Sequence, residues 1–472
     1  MTNDNRGPRQ PPARRPPLPR QTILRLLVGG AIVAAAAVAS LLSGQADPGA
    51  APPSPTQAAW LPFPPSDRVG WEDVRWMEVQ ADAVLGGPLG QRIDRVVAGG
   101  PGFIAVGADA HGQPGSETSF GAIWVSATGE NWAEAELTAG LRQGDSASIA
   151  AIASGPRGTV LLGSVCCGEE RAAAWFSEEG TTWERVPLPV DAAETYVTDV
   201  AAGPDGFVGV GTAGGRMAVW TSSDGREWVT VDAQQAGLRP GSLTAVVRDR
   251  EGWLAVGQFD DRPTHDGAVF RSPDLASWRK VADAPPLSGP DEVELWDVIA
   301  FEGGYLLVGS LGTHEDRVRC EQLLGRGGKL AAAVETALSC GWGARTHWGS
   351  LDGETWVLLP PVADQPGGAP LPVGPDGRRI MDFGPIRAAG PGVVTIGYDV
   401  AGRKGPIDVR ALWTAADGRS WVPVGRAPQF PAGASVNDFV VVGRAVLAVG
   451  SWWTPEGVNG EDGRAWIGTI LP

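Results

Sequence analysis

One unit with three marks recurs through the chain after residue 90. The first mark is an apolar run that ends in glycine, and the second is a short segment centred on an aromatic residue. The third mark is a tryptophan that follows soon afterwards, and the marks occur seven, seven and six times. Self-similarity of this kind indicates an architecture built from repeated supersecondary units, which excludes most single-core folds.

The copies of each mark can be read directly from the sequence. The apolar runs are FIAVG (103–107), TVLLG (159–163), FVGVG (207–211), WLAVG (253–257), YLLVG (305–309), VVTIG (393–397) and VLAVG (446–450). The aromatic centres are Trp124, Trp175, Trp220, Phe270, Trp348, Trp413 and Trp466. The tryptophans of the third mark are Trp132, Trp183, Trp228, Trp278, Trp356 and Trp421.

Each unit predicts four short strands. A first apolar strand, such as 197–201, leads through a Gly/Pro turn into the glycine-terminated strand, the aromatic strand and the tryptophan strand. The chain holds 67 Gly and 40 Pro, which favours many turns over long helices. Four strands per repeat are typical of a β-propeller, so we predict an all-β fold of seven four-stranded blades.

The ends of the chain predict how the ring closes. The seventh unit stops after Trp466 without a tryptophan strand, and the segment 73–79 before the first unit has the character of that missing strand. We predict that this N-terminal strand completes the last blade, which would leave no open sheet edge at the junction. The repeated tryptophans are then predicted to pack between blades rather than to stack on ligands.

The turns between the last two strands resemble the Asp-box, or BNR, repeat of sialidase-like propellers. They read S-x-D-G-x-x-W, as from Ser222 to Trp228 and from Ser350 to Trp356, one residue shorter than the family pattern. The Asp is replaced at Thr128 and Glu179, and the Gly at Leu275. The resemblance implies the propeller fold and a structural role for the turn.

The same resemblance raises the question of sialidase chemistry. Sialidases of this kind are six-bladed and use an arginine triad, a Tyr–Glu nucleophile, an Asp acid/base and an F/Y-R-I-P motif. The chain has no such motif, and Tyr196, Tyr305 and Tyr398 are poorly placed in the strand pattern to act as nucleophiles. The resemblance therefore favours a non-catalytic, seven-bladed relative in a bacterial envelope.

The N-terminal region is predicted to be a targeting segment rather than part of the folded domain. Residues 1–25 form a basic, Pro/Arg-rich tail with six arginines and one acid, and residues 26–43 are uncharged and apolar. We predict a transmembrane signal anchor at 26–43 with the tail in the cytoplasm, a Pro/Ala-rich linker at 44–70 and an extracytoplasmic propeller at 71–472. A cleaved signal peptide ending near Ala46 is the alternative.

The charge balance limits the partners. The net charge is −16 although the N-terminal tail is basic, so a general nucleic-acid binder is not expected. No phosphate loop, nucleophile elbow or zinc-protease motif is present, and we predict no cofactor and no metal site. The expected partner is an unidentified envelope protein, peptide or glycan.

Loop lengths predict which face of the ring carries function. The first-to-second and third-to-fourth turns of each blade are short and share one face. The opposite face carries the loops between second and third strands and the connections between blades, and function concentrates in such variable loops. These longer segments are 108–121, 258–267, 310–346, 398–410 and 451–463 within blades, and 137–148, 232–242, 282–293 and 360–379 between blades.

Two groups of residues are candidate ligand contacts on that face. Asp199, Asp297 and Asp438 align in the innermost strands, with Asp382 nearby, and either form a channel carboxylate cluster or bond backbone amides of their own blades. The second group, placed in long loops, either stacks on a sugar or peptide or packs against the rim. It consists of Trp342, Arg345, Trp452 and Trp453.

The four cysteines predict two disulfides in an extracytoplasmic protein. Cys320 and Cys340 lie in the 310–346 insertion, and Cys166 and Cys167 are adjacent, with free or redox-active thiols as the alternative for that pair. The leading functional hypothesis is a membrane-anchored binding or scaffolding module without catalysis. The alternative is a glycan-active hydrolase or lyase that uses carboxylates and arginines of the loop-rich face.

Overall fold

The structure is a computed structural model whose described residues all lie in the unit Ala59–Pro472. They are residues 74–79, 84–85, 90–111, 118–137, 146–166, 171–189, 194–260, 265–281, 286–289, 292–313, 315, 345–359, 381–389, 392–399, 408–415, 417–418, 421–424, 430, 434–442, 445–453 and 461–470.

The described chain is built mainly of short strands, with a helical turn at α1 (Ala233–Ala236). The first fourteen strands are β1 (Val74–Glu78), β2 (Gln91–Gly99), β3 (Gly102–His111), β4 (Thr118–Ser126), β5 (Ala133–Glu134), β6 (Glu136–Leu137), β7 (Ser146–Gly155), β8 (Gly158–Cys166), β9 (Arg171–Ser177), β10 (Thr182–Val186), β11 (Thr195–Gly203), β12 (Gly206–Ala213), β13 (Arg216–Ser222) and β14 (Val229–Thr230). The remaining strands are β15 (Gly241–Arg248), β16 (Trp253–Phe259), β17 (Asp266–Ser272), β18 (Arg279–Lys280), β19 (Glu292–Phe301), β20 (Gly304–Gly312), β21 (Arg345–Ser350), β22 (Val357–Leu358), β23 (Met381–Ala389), β24 (Gly392–Asp399), β25 (Asp408–Ala415), β26 (Val422–Val424), β27 (Ala434–Val442), β28 (Ala445–Trp453) and β29 (Glu461–Ile470).

These strands form seven sheets, each with the predicted four-stranded meander. The innermost strands β2, β7, β11, β15, β19, β23 and β27 contact one another in that order, and β27 returns to β2. The seven-bladed propeller is therefore confirmed. Blade 2 departs from the pattern because β6, at the end of blade 1, pairs in parallel with the outermost strand β10.

The N-terminal strand closes the ring as the sequence predicts. Strand β1 pairs antiparallel with β29 from Val74 opposite Ile470 to Glu78 opposite Trp466. The indole of Trp76 packs against Phe430 with ring centroids 4.7 Å apart, and Val79 is buried just after the strand. The outermost strand of blade 7 thus comes from the other end of the chain.

The interfaces between blades form the hydrophobic cores. One such core joins blades 2 and 3 through Leu162, Phe176, Phe207, Trp220 and Trp228. Most of the largest fully buried side chains of the described residues are tryptophans at the repeat positions. The abundance of tryptophan is thereby explained by the wedge-shaped space between twisted sheets, which large flat rings fill.

The glycine that ends each apolar run lies opposite a bulge in the neighbouring innermost strand. In the innermost strand of every blade the register shifts by an extra residue, for example between Val197 and Asp199 in blade 3. A Cβ on Gly211 would lie 2.0 Å from the carbonyl oxygen of Tyr196, just before that bulge. Five more of the seven glycines face the equivalent oxygen at 1.8–2.0 Å, so only glycine fits there.

Several sequence predictions fall outside the described residues. The tail, the anchor at 26–43, the linker, and most of the 310–346 insertion, including Cys320 and Cys340, are among them. Cys166 ends β8 but only its backbone is described, and Cys167 is not described. No helix in the described part of the chain is both long and apolar enough to cross a membrane.

Candidate functional site

The strand order divides the ring into two faces. The first-to-second and third-to-fourth turns of each blade lie on one face, which we call the turn face. The second-to-third loops and the connections between blades lie on the other, which we call the connection face. In the described strands the first kind of link is short, as between β11 and β12, where Pro204 and Asp205 alone separate the strands. The connection face therefore carries most of the loops whose length and sequence can vary without disturbing the blades.

The bulge in the innermost strand links each blade to the next. Its extra residue in blades 3, 4 and 7 donates a side-chain hydrogen bond to a carbonyl of the following blade. The bonds run from Thr198 to Leu243 O (2.7 Å), from Thr244 to Leu295 O (2.6 Å) and from Asn437 to Ile93 O (2.8 Å). A bulge re-aims a side chain, and here it directs a donor across the blade interface.

The candidate aspartates follow directly after these bulges. Asp199 accepts a hydrogen bond from Val246 N of blade 4 at 2.9 Å, and Asp438 accepts one from Val96 N of blade 1 at 3.0 Å. Asp297 accepts from its own neighbour Val298 N at 2.8 Å. Asp438 also accepts from Phe439 N of its own blade at 2.8 Å, and Asp199 from Val200 N of its own blade. Each of the three aspartates therefore bonds a backbone amide of its own blade, and Asp199 and Asp438 also join neighbouring blades.

Arg387 brings two of the aspartates together. Its guanidinium hydrogen-bonds Asp438 and lies 3.7 Å from Asp297. Arg95 of blade 1 also contributes favourable charge at Asp199 and Asp297. The aligned position in blade 6 is held by Pro385 within its bulge, and Asp382 lies upstream of it with only its backbone described. The channel wall thus holds a mixed ring of charges rather than a purely acidic cluster.

Burial is the largest influence on the pKa values of Asp199 and Asp297. Burial raises the pKa of Asp199 to about 6, although Arg95 and the amide of Val246 oppose the shift and Asp297 adds to it. Burial also raises the pKa of Asp297, with Arg387 and Arg95 opposing and Asp438 adding. Arg387 is desolvated, yet the nearby carboxylates of Asp438 and Asp297 raise its pKa and keep it charged.

The raised pKa of Asp199 predicts a pH dependence of stability. Because the folded state binds this proton more tightly than the unfolded state, the free energy of unfolding should decrease as the pH rises from about 4 to about 6. The variant Asp199→Asn cannot ionise, so its unfolding free energy should decrease less over the same range. Urea denaturation at several pH values measures both slopes, and parallel curves would contradict the assignment.

Two aromatic side chains are exposed on innermost strands. Tyr196 on β11 is 44% exposed, and Trp296, the bulge residue of β19, is 38% exposed. The other aromatic side chains that the structure describes are buried or partly buried. Because innermost strands line the channel, these two rings are accessible from the channel or its mouth, close in sequence to Asp199 and Asp297.

The second predicted group is only partly described. Trp452 and Trp453 belong to β28, opposite Asp462 and Glu461 of β29, so they lie on a strand and not in the predicted loop. The guanidinium of Arg464 covers the Trp452 ring at 5.3 Å, and the Trp453 side chain is not described. Arg345 begins β21 with its side chain undescribed, and Trp342 lies outside the described residues.

The turns of the turn face have a structural explanation. In blade 3, Ser222 Oγ accepts from Gly225 N at 2.8 Å, and Asp224 accepts from the amides of Arg226 and Glu227. Trp228 donates to Gly225 O at 3.1 Å. In blade 4 the amides of Ser277 and Ala276 lower the pKa of Asp274 in the same way. In blade 3 the serine, aspartate and tryptophan of this motif are therefore all hydrogen-bonded within their own turn.

The turn face also holds a buried charge network between blades 4 and 5. Arg271 hydrogen-bonds Asp249 and the backbone carbonyl of Asp352, and Tyr305 donates to Asp249 at 2.7 Å. Burial and that hydrogen bond raise the pKa of Tyr305 to about 12. A phenol held protonated in a core is a poor nucleophile, which agrees with the sequence interpretation of Tyr305.

Sequence reasoning missed Arg387 and the exposed ring of Trp296. Arg387 falls two residues after the aligned position, and Trp296 is the extra residue of a bulge. One sequence feature does indicate the bulges. A strand that ends in glycine has a bulged neighbour, because a Cβ at the glycine would clash with the neighbour's backbone. Among the described residues, no three His, Cys, Asp or Glu side chains are arranged to hold a metal ion.

The fold and the channel define a seven-bladed propeller with charged and aromatic channel residues. Solved propellers similar to it include the β-propeller domain of the trilobed protease from Pyrococcus furiosus, with 10% identity, TM-score 0.44, and coverage of 80% of this chain and 97% of that chain. Trypanosoma rangeli sialidase in complex with the inhibitor DANA has 10% identity, TM-score 0.40, and coverage of 81% and 55%. The Fusarium graminearum α-L-arabinofuranosidase Arb93A has 13% identity, TM-score 0.36, and coverage of 68% and 93%. Similarities this low carry no functional information for this chain.

No protein-family model matches the sequence, and no curated protein matches it either.

Proposed function

We propose that the protein is a non-catalytic binding module of a bacterial envelope, a seven-bladed relative of Asp-box propellers. In this proposal residues 26–43 anchor it in the membrane, and the propeller binds a protein, peptide or glycan outside the cytoplasm. The ligand contacts the connection face around the channel mouth. The exposed rings of Tyr196 and Trp296 are the observation that supports the proposal most, because exposed aromatics on a rigid scaffold are typical of recognition sites.

The experiment screens the detergent-solubilised full chain against glycan and peptide arrays. The double variant Tyr196→Ala/Trp296→Ala should lose at least about tenfold in affinity for any ligand found, as expected for two aromatic contacts. Val229→Ala is the matched control, because Val229 is an exposed apolar residue on the outermost strand β14. Unchanged binding by a folded double variant would reject this site.

The anchor is tested separately. Alkaline extraction should leave the full chain in the membrane fraction, and a chain lacking residues 1–58 should become extractable. Protease added to intact cells or spheroplasts should cut the propeller and spare the tail. Release of the full chain by alkali, or protection of the propeller, would reject the proposed localisation.

One observation favours the glycan-active alternative. Asp199 with a pKa of about 6 has the property required of a carboxyl general acid, and Asp297 lies beside Arg387. Against it, the carboxylates of Asp199 and Asp297 accept hydrogen bonds from backbone amides that hold them in the wall. Turnover of chromogenic glycosides near pH 5 that disappears in Asp199→Asn would replace the binding proposal with this one.

A further inference from the structure

Three tryptophans of the aromatic strands make the same hydrogen bond to three different connections. Trp124 donates from Nε1 to Val84 O at 3.0 Å, and Trp220 donates to Pro189 O at 3.1 Å. Trp348 donates to Pro286 O at 2.9 Å. Each acceptor lies in the segment that leads from the preceding blade into the blade of the tryptophan, on the connection face.

Three tryptophans of the third mark, those of blades 1 to 3, make the corresponding bond on the opposite face. Trp132 and Trp183 donate to the carbonyls of Gly129 and Gly180 inside their own turns, at 2.8 and 3.1 Å. In blades 1 and 3 the two indole N–H groups are therefore directed to opposite faces, whereas those of Trp175, Trp356 and Trp466 have no hydrogen-bond partner among the described residues. Packing alone does not require this, since a phenyl ring would fill much of the same volume.

The acceptors explain why a side-chain donor is needed. Pro189 and Pro286 lie in proline-containing segments, which have fewer backbone N–H groups to pair with nearby carbonyls. A buried carbonyl without a partner costs free energy, and indole supplies a donor without adding an acceptor of its own. The bond therefore ties the acceptor residue of each connection to the aromatic strand of the next blade.

Blade 4 provides a natural contrast, because Phe270 takes the place of the tryptophan. The connection that precedes this blade, residues 231–240, contains α1, which Asp232 caps by accepting from two backbone amides. Arg216 donates to Leu238 O and Met217 N donates to Arg239 O, both at 3.1 Å. Where the indole is missing, the connection is held by its own helix and by blade 3.

We propose that Trp124, Trp220 and Trp348 are positioning residues that hold the connections bordering the channel mouth through their indole N–H groups. These connections lie on the face where the proposed function places the ligand. Only the role of the connections in ligand binding rests on that proposed function. The hydrogen bonds and their effect on the connections stand without a ligand.

The test is hydrogen–deuterium exchange of the full chain with Trp220→Phe, which keeps a buried ring and removes the N–H. The peptide between Val186 and Thr195 should exchange roughly two- to tenfold faster, the change expected for one neutral hydrogen bond. The turn between Ser222 and Trp228 should keep its exchange rate. Trp228→Phe is the matched control and should show the reverse pattern.

Two outcomes would overturn the proposal. One is unchanged exchange between Val186 and Thr195 in Trp220→Phe, and the other is the same chain-wide increase in both variants, which indicates packing alone. If Trp220→Phe fails to fold, Trp348→Phe gives the same test on the connection that contains Pro286. These outcomes do not depend on whether the array screen finds a ligand, so failure of the binding proposal remains distinguishable.

Discussion

Removing residues 1–79 is expected to destroy the cooperative unfolding transition of the propeller, whereas removing residues 1–58 is expected to preserve it. The longer deletion removes β1, which supplies the outermost strand of blade 7 and places Trp76 against Phe430. Loss of a fully buried aromatic costs about 3–5 kcal/mol, and Trp76 is partly buried against the core of blade 7, so its loss should cost less than that amount. The backbone bonds along β29 are lost in addition.

Thermal denaturation followed by circular dichroism and size-exclusion chromatography compares the two deletions. The longer deletion should also associate, because β29 then presents an unpaired edge. The variant Trp76→Ala in the full chain removes the indole but keeps the strand β1. Its loss of thermal stability should be intermediate between those of the two deletions. Equal melting curves for the two deletions would show that β1 does not hold the ring closed.

Arg271→Met is expected to lower the free energy of unfolding by about 3–5 kcal/mol, the usual cost of leaving one partner of a buried ion pair uncompensated. Arg271 and Asp249 are both almost fully buried, and Tyr305 donates to the same carboxylate. Loss of the guanidinium leaves Asp249 charged in a core with the phenol and two backbone amides as donors.

Arg279→Met is the matched control for this prediction. Arg279 belongs to the same blade and pairs with Glu354 of blade 5, but the pair is exposed, so its loss should cost less than about 1 kcal/mol. Adding Asp249→Asn to Arg271→Met should recover part of the loss, because it removes the unpaired charge. Chemical denaturation of the four proteins measures these differences, and equal losses for the two arginine variants would contradict the network.

The fold was predictable because each blade repeats the same packing problem. The three marks of each unit correspond to the glycine opposite the bulge, the aromatic residue of the third strand and the tryptophan of the turn. The segment around Trp76 matches the strand that is missing after Trp466. The extra strand β6 was not predictable, since two residues that pair in parallel with β10 leave no periodic signal. The bulges also left no direct signal, although the glycines opposite them reflect their presence.

The candidate site was less predictable than the fold. The alignment of Asp199, Asp297 and Asp438 was visible, but the hydrogen bonds from Asp199 and Asp438 to the next blade depend on the ring geometry. Arg387 approaches two of them although it is offset in sequence, and the side chain of Trp296 is exposed where other blades have small or polar residues. Such contacts depend on three-dimensional approach between strands of different blades, which repeat spacing does not encode.

The pairing of β1 with β29 sets an order of events during synthesis. Val74 leaves the ribosome among the first residues of the propeller, and its partner Ile470 among the last. Six blades can therefore form while the first strand still has no partner, and ring closure waits until β29 has been synthesised. Loop-closure entropy grows only slowly with chain length, so this separation adds little to the equilibrium cost. The separation affects the rate of folding instead, and a nascent chain carries an unpaired first strand until β29 has been made.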